Sequence, residues 1–280
     1  MPAAGKLTLM AVHAHPDDES SSTGGVLARY SDEGVITVLV TCTNGEYGDG
    51  PDHVKPGAEG HDPEQVAKTR RAELELACEH LGVTHLEMLG YHDSGMPDWE
   101  FKDRSDVFWQ VPLEQSVGRL VELVERYRPD VMITYDDNGG YNHPDHLQAH
   151  NVAVEAFRRT GIPSKLYFIA RRRRDWQKMA EAMRAAGIEV PARIQNPPDP
   201  ETLRRMEETE QRITTSVDTT AVAQRKRAAL AAHASQLDES WWVRLPPEAL
   251  AEVFVQETFI RAEDRTGAPV PEDDLFAGLR

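Results

Sequence analysis

Cysteine is scarce in this chain, basic residues are outnumbered, and no apolar stretch is long. Two cysteines in 280 residues, Cys42 and Cys78, make neither a disulfide framework nor a zinc finger. Each lies in an apolar run, where a thiol is expected to be buried and inert. Nothing approaches the ~18 consecutive apolar residues of a membrane span, and Met1–Gly5 lacks the basic region that opens a signal peptide. These absences point to a soluble, cytoplasmic protein with no membrane partner. The formal net charge of -16 argues against nucleic acid, whose phosphates call for a neutralising basic surface. One local exception, Arg171–Arg174, reads first as a solvated strand end that pairs with the abundant carboxylates, and second as a grip on an anionic ligand. Subunit number is left open, a homo-oligomer included.

What is present is a β-α-β rhythm. Leu7–His13, Ile36–Thr43, Leu86–Leu89, Val131–Tyr135 and Lys165–Ile169 read as strands. Ser21–Glu33, Glu64–Leu81, Leu113–Tyr127 and Pro144–Arg159 read as the helices between them, with stops at Gly34 and Gly82 and a proline start at Pro144. That alternation predicts an α/β fold, a Rossmann-like, mostly parallel sheet with helices on both faces. Beyond 170 the rhythm weakens. Trp176–Ala186 and Thr219–His233 are helical, Asn196–Pro200 breaks the chain, and Ile213–Val217 and Phe254–Ile260 look extended. The expectation is one domain over 1–280, with a core of about 1–170 and a final third, about 171–280, completing the site on the substrate side.

Two clusters carry chemistry. A-H-P-D-D-E at 14–19 places His15, Asp17, Asp18 and Glu19 directly after a strand, where α/β proteins put their ligand sites. A capping turn explains the acidic residues alone, but Y-N-H-P-D-H at 141–146 repeats the pattern after another strand. Two imidazoles and a carboxylate with an open fourth position make a catalytic zinc site. His15, Asp18 and His146 are the candidate ligands, and Asp17 is left unbound as a general base. His143 is the candidate acid or oxyanion donor with Asp145 fixing its ring, and Tyr141 is a further donor to a tetrahedral oxyanion. His13 and His150 are candidates for supporting roles. H-L-Q-A-H lacks the glutamate of H-E-x-x-H. His53, His61, His80, His85 and His233 read as surface groups.

The paired motifs resemble the LmbE-like (PIG-L) family of zinc-dependent N-deacetylases. T-Y-D-D-N-G-G-Y-N-H-P-D-H at 134–146, H-D-S-G-M at 92–96 and A-H-A-S-Q at 232–236 are similar to its mycothiol branch. V-P-L-E at 111–114 and D-L-F-A-G-L at 274–279 lean towards the S-conjugate amidases of that branch. The resemblance implies a Rossmann-like fold and zinc on His15, Asp18 and His146, with Fe2+ as the alternative metal. It implies Asp17 as base, and His143 oriented by Asp145 beside the oxyanion. It also implies sugar-hydroxyl contacts from Arg71 and Asp93, with Glu46 as a third candidate. The expected activity is hydrolysis of an N-acyl amino sugar or of a glucosaminyl-inositol thiol conjugate. A natural-product amide hydrolase, a non-catalytic glycoside- or metal-binding protein and a two-metal phosphoesterase are the alternatives.

Overall fold

The computed structural model describes residues 6–190, 199–237, 244–246, 249, 253 and 255–280. Most of the expected Asn196–Pro200 break, and Phe254, lie outside them. Five parallel strands, β1 (Thr8–His13), β2 (Ile36–Thr43), β3 (His85–Tyr91), β4 (Val131–Thr134) and β5 (Lys165–Ala170), form the body of one sheet. Two more, β6 (Thr215–Asp218) and β7 (Gln256–Asp264), extend it antiparallel at one edge, in the order β3-β2-β1-β4-β5-β7-β6. The α/β, mostly parallel architecture expected from the alternation is therefore the one observed. Among the described residues no helix is long and apolar enough to cross a membrane.

The central strand is buried along its whole length because helices cover both sheet faces, as the period of two along a strand requires. Met10 and Val12 pack with α3 (Leu113–Tyr127) and α4 (Pro144–Thr160). Leu9 and Ala11 face α1 (Gly24–Asp32) and α2 (Pro63–Leu81). In α3 the buried Val117, Leu120 and Val124 recur at helical spacing, which gives the helix one apolar stripe. For α2, Asp62 accepts hydrogen bonds from the Glu64 and Gln65 amides, and Gly82 closes the helix with φ 71°.

The first helix departs from expectation. The sequence predicts Ser21–Glu33, but a five-residue π-helical turn, Glu19–Thr23, precedes α1. Such turns widen the backbone ladder and recur at functional sites; here the turn starts at Glu19, whose side chain is committed to the loop before it. The later helices are α5 (Arg173–Ala185), α6 (Pro200–Arg212) and α7 (Ala223–Ala232). The arginine run leads into α5 and is spent on structure. Arg171 donates to the Ser21 carbonyl, Arg172 to Ser216 and Gln256, and Arg173 and Arg174 approach Glu207 and Asp175. The solvated, salt-bridging reading describes Arg173 and Arg174; Arg171 and Arg172 instead turn to a main-chain carbonyl and to neutral side chains.

The tail is bound back to the sheet through one buried carboxylate. Glu272 accepts from Lys165 Nζ at 2.5 Å, Tyr167 OH at 2.8 Å, Thr215 Oγ1 at 2.9 Å and Arg261 Nη1 at 2.8 Å. Lys165 and Glu272 are both out of solvent, so losing one strands the other. Glu272→Ala is expected to cost about 3–5 kcal/mol of stability, read from the midpoint shift in urea unfolding; a loss below 1 kcal/mol would show the network to be dispensable.

Candidate active site

Strand order reverses direction between β1 and β4, and ligands of open α/β sheets bind in the crevice at that point. Both motif loops leave the sheet there. His15, Asp17 and Asp18 follow β1, and His143, Asp145 and His146 follow β4, the last two on the first turn of α4. The sequence expectation that these loops meet is met by distance. His15 Nδ1 lies 3.3 Å from Asp18 Oδ2 and 3.3 Å from His146 Nε2, and His146 Nε2 lies 3.5 Å from Asp18 Oδ2. Metal bonds of ~2.0–2.2 Å at tetrahedral angles place donor atoms about 3.3–3.5 Å apart. The triangle therefore fits one tetrahedral ion with a fourth position open.

Hydrogen bonds on the far side of each ring fix which nitrogen can ligate. His15 Nε2 donates to Asp145 Oδ2 at 3.2 Å, leaving its Nδ1 lone pair for the triangle. His146 Nδ1 donates to the Gly139 carbonyl at 3.0 Å, freeing Nε2. Gly139 is required there: it has φ 57°, and a Cβ on it would come within 2.8 Å of His146 Cβ. Asp18 is steadied by the His15 amide at 2.9 Å and by Tyr135 OH at 2.7 Å. Tyr135 also stacks on His146 with centroids 4.1 Å apart. Burial acts to raise Asp18, but His146 and His15 outweigh it and hold its carboxyl well below the usual range.

His143 joins His15 and His146 in a compact group of three imidazoles, yet it is not disposed to ligate. Its Nδ1 accepts the Asp145 backbone N–H at 3.2 Å. The proton of the neutral ring is therefore on Nε2, which then has no lone pair for a metal. Burial, with His15 and His146 beside it, pushes its pKa down to about 2, so the ring stays neutral and acts as a hydrogen-bond donor. The expected link between Asp145 and His143 needs correcting. It runs through the Asp145 backbone, while the carboxylate serves His15 and the amide and hydroxyl of Ser94. A neutral-ring electrophile is thus the form His143 takes.

Asp17 stands apart from the triangle. Its φ of 119° is a conformation that side-chain-bearing residues rarely adopt, and such strain costs about 1–3 kcal/mol. Arg70 holds it there: Nη2 reaches Asp17 Oδ2 at 2.9 Å and the Pro16 carbonyl at 2.5 Å, and Nη1 reaches the Gly45 carbonyl at 2.7 Å. A Cβ at Gly45 would lie 2.5 Å from that guanidinium. Burial, and Asp18 next to it, raise the Asp17 pKa to about 6 against the pull of Arg70. A quarter of its side chain faces the cavity.

The cavity is lined by His15, Asp17, Asp18, Arg70, Asp93, His143 and Tyr141, with Tyr47, Gly48, Gly95, Met96 and Trp99 around its mouth. Tyr141 is 56 % exposed and stands edge-on to His143 and His146. Asp93 is buried 3.6 Å from His15 Nε2. Burial acts to raise it, but His15, the Gly95 amide and Arg70 bring its pKa far down. Glu46 does not line the cavity; it accepts the Asp93 amide at 3.1 Å and the His92 ring, and so holds the Asp93 loop. Arg71 is not brought to the site. It pairs with Glu75 on the outer face of α2, and the residue beside it, Arg70, occupies the place that the sequence reading gave to Arg71.

Sequence reasoning also missed Tyr135 and His233. Both were within quoted motif runs, but a strand-end tyrosine and a helix-end histidine carry no periodic signal. His233 is fully buried, not a surface group, and donates to Glu19 Oε1 at 2.7 Å. His13 meets Thr23, and His150 meets the Tyr135 carbonyl. The final third was expected to complete the site on the substrate side. Among the described residues, those lining the cavity all precede Pro144, and A-H-A-S-Q packs against them at Gly48. Ser235 binds Glu73, and Gln236 binds both main-chain groups of Asp49.

Because the Asp145 carboxylate aims His15, Asp145→Asn is expected to weaken metal binding about 10–100-fold, measured by competition with a chelator. Unchanged affinity together with lost turnover would instead return Asp145 to the His143 role.

Comparison with known proteins places the chain in a family. Residues 10–157 match the family model PIG-L: GlcNAc-PI de-N-acetylase. The 1D-myo-inositol 2-acetamido-2-deoxy-alpha-D-glucopyranoside deacetylase of Acidothermus cellulolyticus is 40% identical over 286 residues, covering 97% of this chain and 95% of that protein. The mycothiol S-conjugate amidase of Streptomyces coelicolor is 35% identical over 298 residues, covering 98% of each. Among solved structures, the N,N'-diacetylchitobiose deacetylase of Pyrococcus horikoshii shares the fold, with a TM-score of 0.59 and 19% identity over 94% of this chain and 86% of that one. With the family model spanning more than half of it and relatives matched from end to end, the chain belongs to the PIG-L de-N-acetylase family.

Proposed function

We propose that this amide hydrolase is zinc-dependent and removes the acetyl group from an N-acetylglucosaminyl-inositol. The donor triangle of His15, Asp18 and His146, with the unbound carboxylate of Asp17 beside it, carries the reading. The near full-length relatives named for that substrate support it. Two imidazoles and one carboxylate suit zinc or iron, and at equal availability the Irving–Williams order favours zinc. When bound, zinc supplies a Lewis acid that polarises the amide carbonyl and brings a bound water towards a pKa of about 7.

The protein's own groups do the rest. Asp17, with Oδ2 held by Arg70, takes the proton of the attacking water and returns it to the departing amine. Its raised pKa suits both halves of that transfer. His143 presents Nε2–H to the oxygen that becomes negative as the carbonyl turns tetrahedral, and the Tyr141 hydroxyl is the second donor. Asp93 and Arg70 are placed to receive sugar hydroxyls at the cavity wall.

A second reading, cleavage of the amide in a glucosaminyl-inositol thiol conjugate, has one observation in its favour. Met96 and Trp99 are among the cavity-lining residues, and Tyr47, also lining it, stacks on Phe101 with centroids 4.3 Å apart. Such a surface suits the ring face of a bulky conjugate.

Mass-spectrometric turnover of the zinc-loaded protein against both substrates separates the readings, and failure on both would remove them. Asp17→Asn is expected to lose roughly 10²–10⁴ in kcat while holding one equivalent of metal. His143→Ala is expected to lose about 10²–10³. The base works deprotonated, so kcat/KM should rise with pH through an acid limb at or below about 6, the metal-free value for Asp17; persistence of that limb in Asp17→Asn would assign it to another group.

A further inference from the structure

Glu19 and His233 do not line the cavity, yet both are fully out of solvent and joined to each other. Glu19 Oε2 accepts the backbone N–H of Asp17 at 2.9 Å. Glu19 Oε1 accepts Ser20 Oγ at 2.5 Å and His233 Nε2 at 2.7 Å. His233 arrives from the end of α7, 214 residues along the chain from Glu19, and is anchored there by its amide on the Leu230 carbonyl and by the Gln236 amide on its own carbonyl. A carboxylate accepting from a main-chain N–H and an imidazole at once is fixed in position as well as orientation. The N–H it fixes belongs to the residue held at φ 119°.

We propose that His233, acting through Glu19, is a positioning residue for Asp17. This rests on the reading of Asp17 as the base. Arg70 grips the Asp17 side chain and the Pro16 carbonyl from the α2 side, and Glu19 grips the Asp17 amide from the opposite end of the same peptide. With both grips the residue stays in its strained conformation; without the second, the backbone relaxes towards extended values and the carboxylate leaves its place. The final third of the chain thus sets the geometry of a base that it never touches.

The test compares His233→Leu, His233→Gln, Glu19→Gln and the Glu19→Gln/His233→Leu double variant, with Asp17→Asn as control, on N-acetylglucosaminyl-inositol. His233→Leu should lower kcat about 10–100-fold, as expected for a misplaced catalytic group, with KM and zinc content near those of the parent. His233→Gln, which keeps a donor for Glu19, should recover most of that loss. Glu19→Gln should share the deficit, and the double variant should lose no more than the worse single one, because the two side chains form one unit. A crystal structure of His233→Leu, which needs no substrate, should show Asp17 away from φ 119°. Parental kcat in a folded His233→Leu, equal losses in the Leu and Gln variants, losses that multiply in the double variant, or an unmoved Asp17 backbone would each overturn the proposal. If His233→Leu does not fold, Glu19→Gln carries the same kinetic and structural test. Full activity in Asp17→Asn would instead overturn the reading of the base itself.

Discussion

Everything in this site follows from one geometric requirement: atoms from segments about 130 residues apart must come within 3.3–3.5 Å of one another and stay there. Parallel strands meet it because β1 and β4 are hydrogen-bonded neighbours that end at the same sheet edge. The loops have little left to do except aim side chains. The hydrogen bonds of Asp145 on His15, Gly139 on His146 and Tyr135 on Asp18 do the aiming. Each removes one alternative tautomer or rotamer, so the candidate donor atoms of His15, Asp18 and His146 already converge in the protein itself.

Four carboxylates crowd this edge, and their surroundings separate them. Asp18 and Asp93 face imidazoles that outweigh burial and keep them ionised. Burial wins at Asp17 and at Asp145, whose pKa values rise. In the proposed reading, groups of one chemical type thereby take different tasks: ligation for Asp18, proton transfer for Asp17, aiming of a ring for Asp145. Glu19 and Glu46 extend the pattern outward, each accepting a main-chain N–H of a working residue. The excess of acid over base in the composition is partly this, carboxylates used as fixed acceptors inside the protein.

The parallel sheet was legible because strand and helix periods alternate over the first 170 residues, and the candidate metal donors because two His-Pro-Asp segments each follow a strand. Contacts at right angles to the chain were not. Whether Arg70 or Arg71 faces the cavity depends on the rotation of α2 about its axis, and one step along a helix turns a side chain by about 100°. Asp145 was expected to orient His143, two residues before it, yet its carboxylate reaches across the crevice to His15. His233 looked like a surface residue because a histidine at the end of a helix is buried only by what packs on it. Its partner lies at the other end of the chain.

The residues at the cavity mouth sit on the long connections after β2 and β3, at Tyr47–Gly48 and Gly95–Trp99. None of those positions supplies a donor atom to the triangle. The residues around the cavity and the candidate metal donors therefore lie largely in separate stretches of chain, tied together where Ser94 meets Asp145 and where Arg70 spans Gly45 and Asp17. A lineage with this layout is free to exchange the rim for a different glycoside or conjugate while the hydrolytic centre stays as it is, so substrate drift within such a family requires no repeated invention of the metal site.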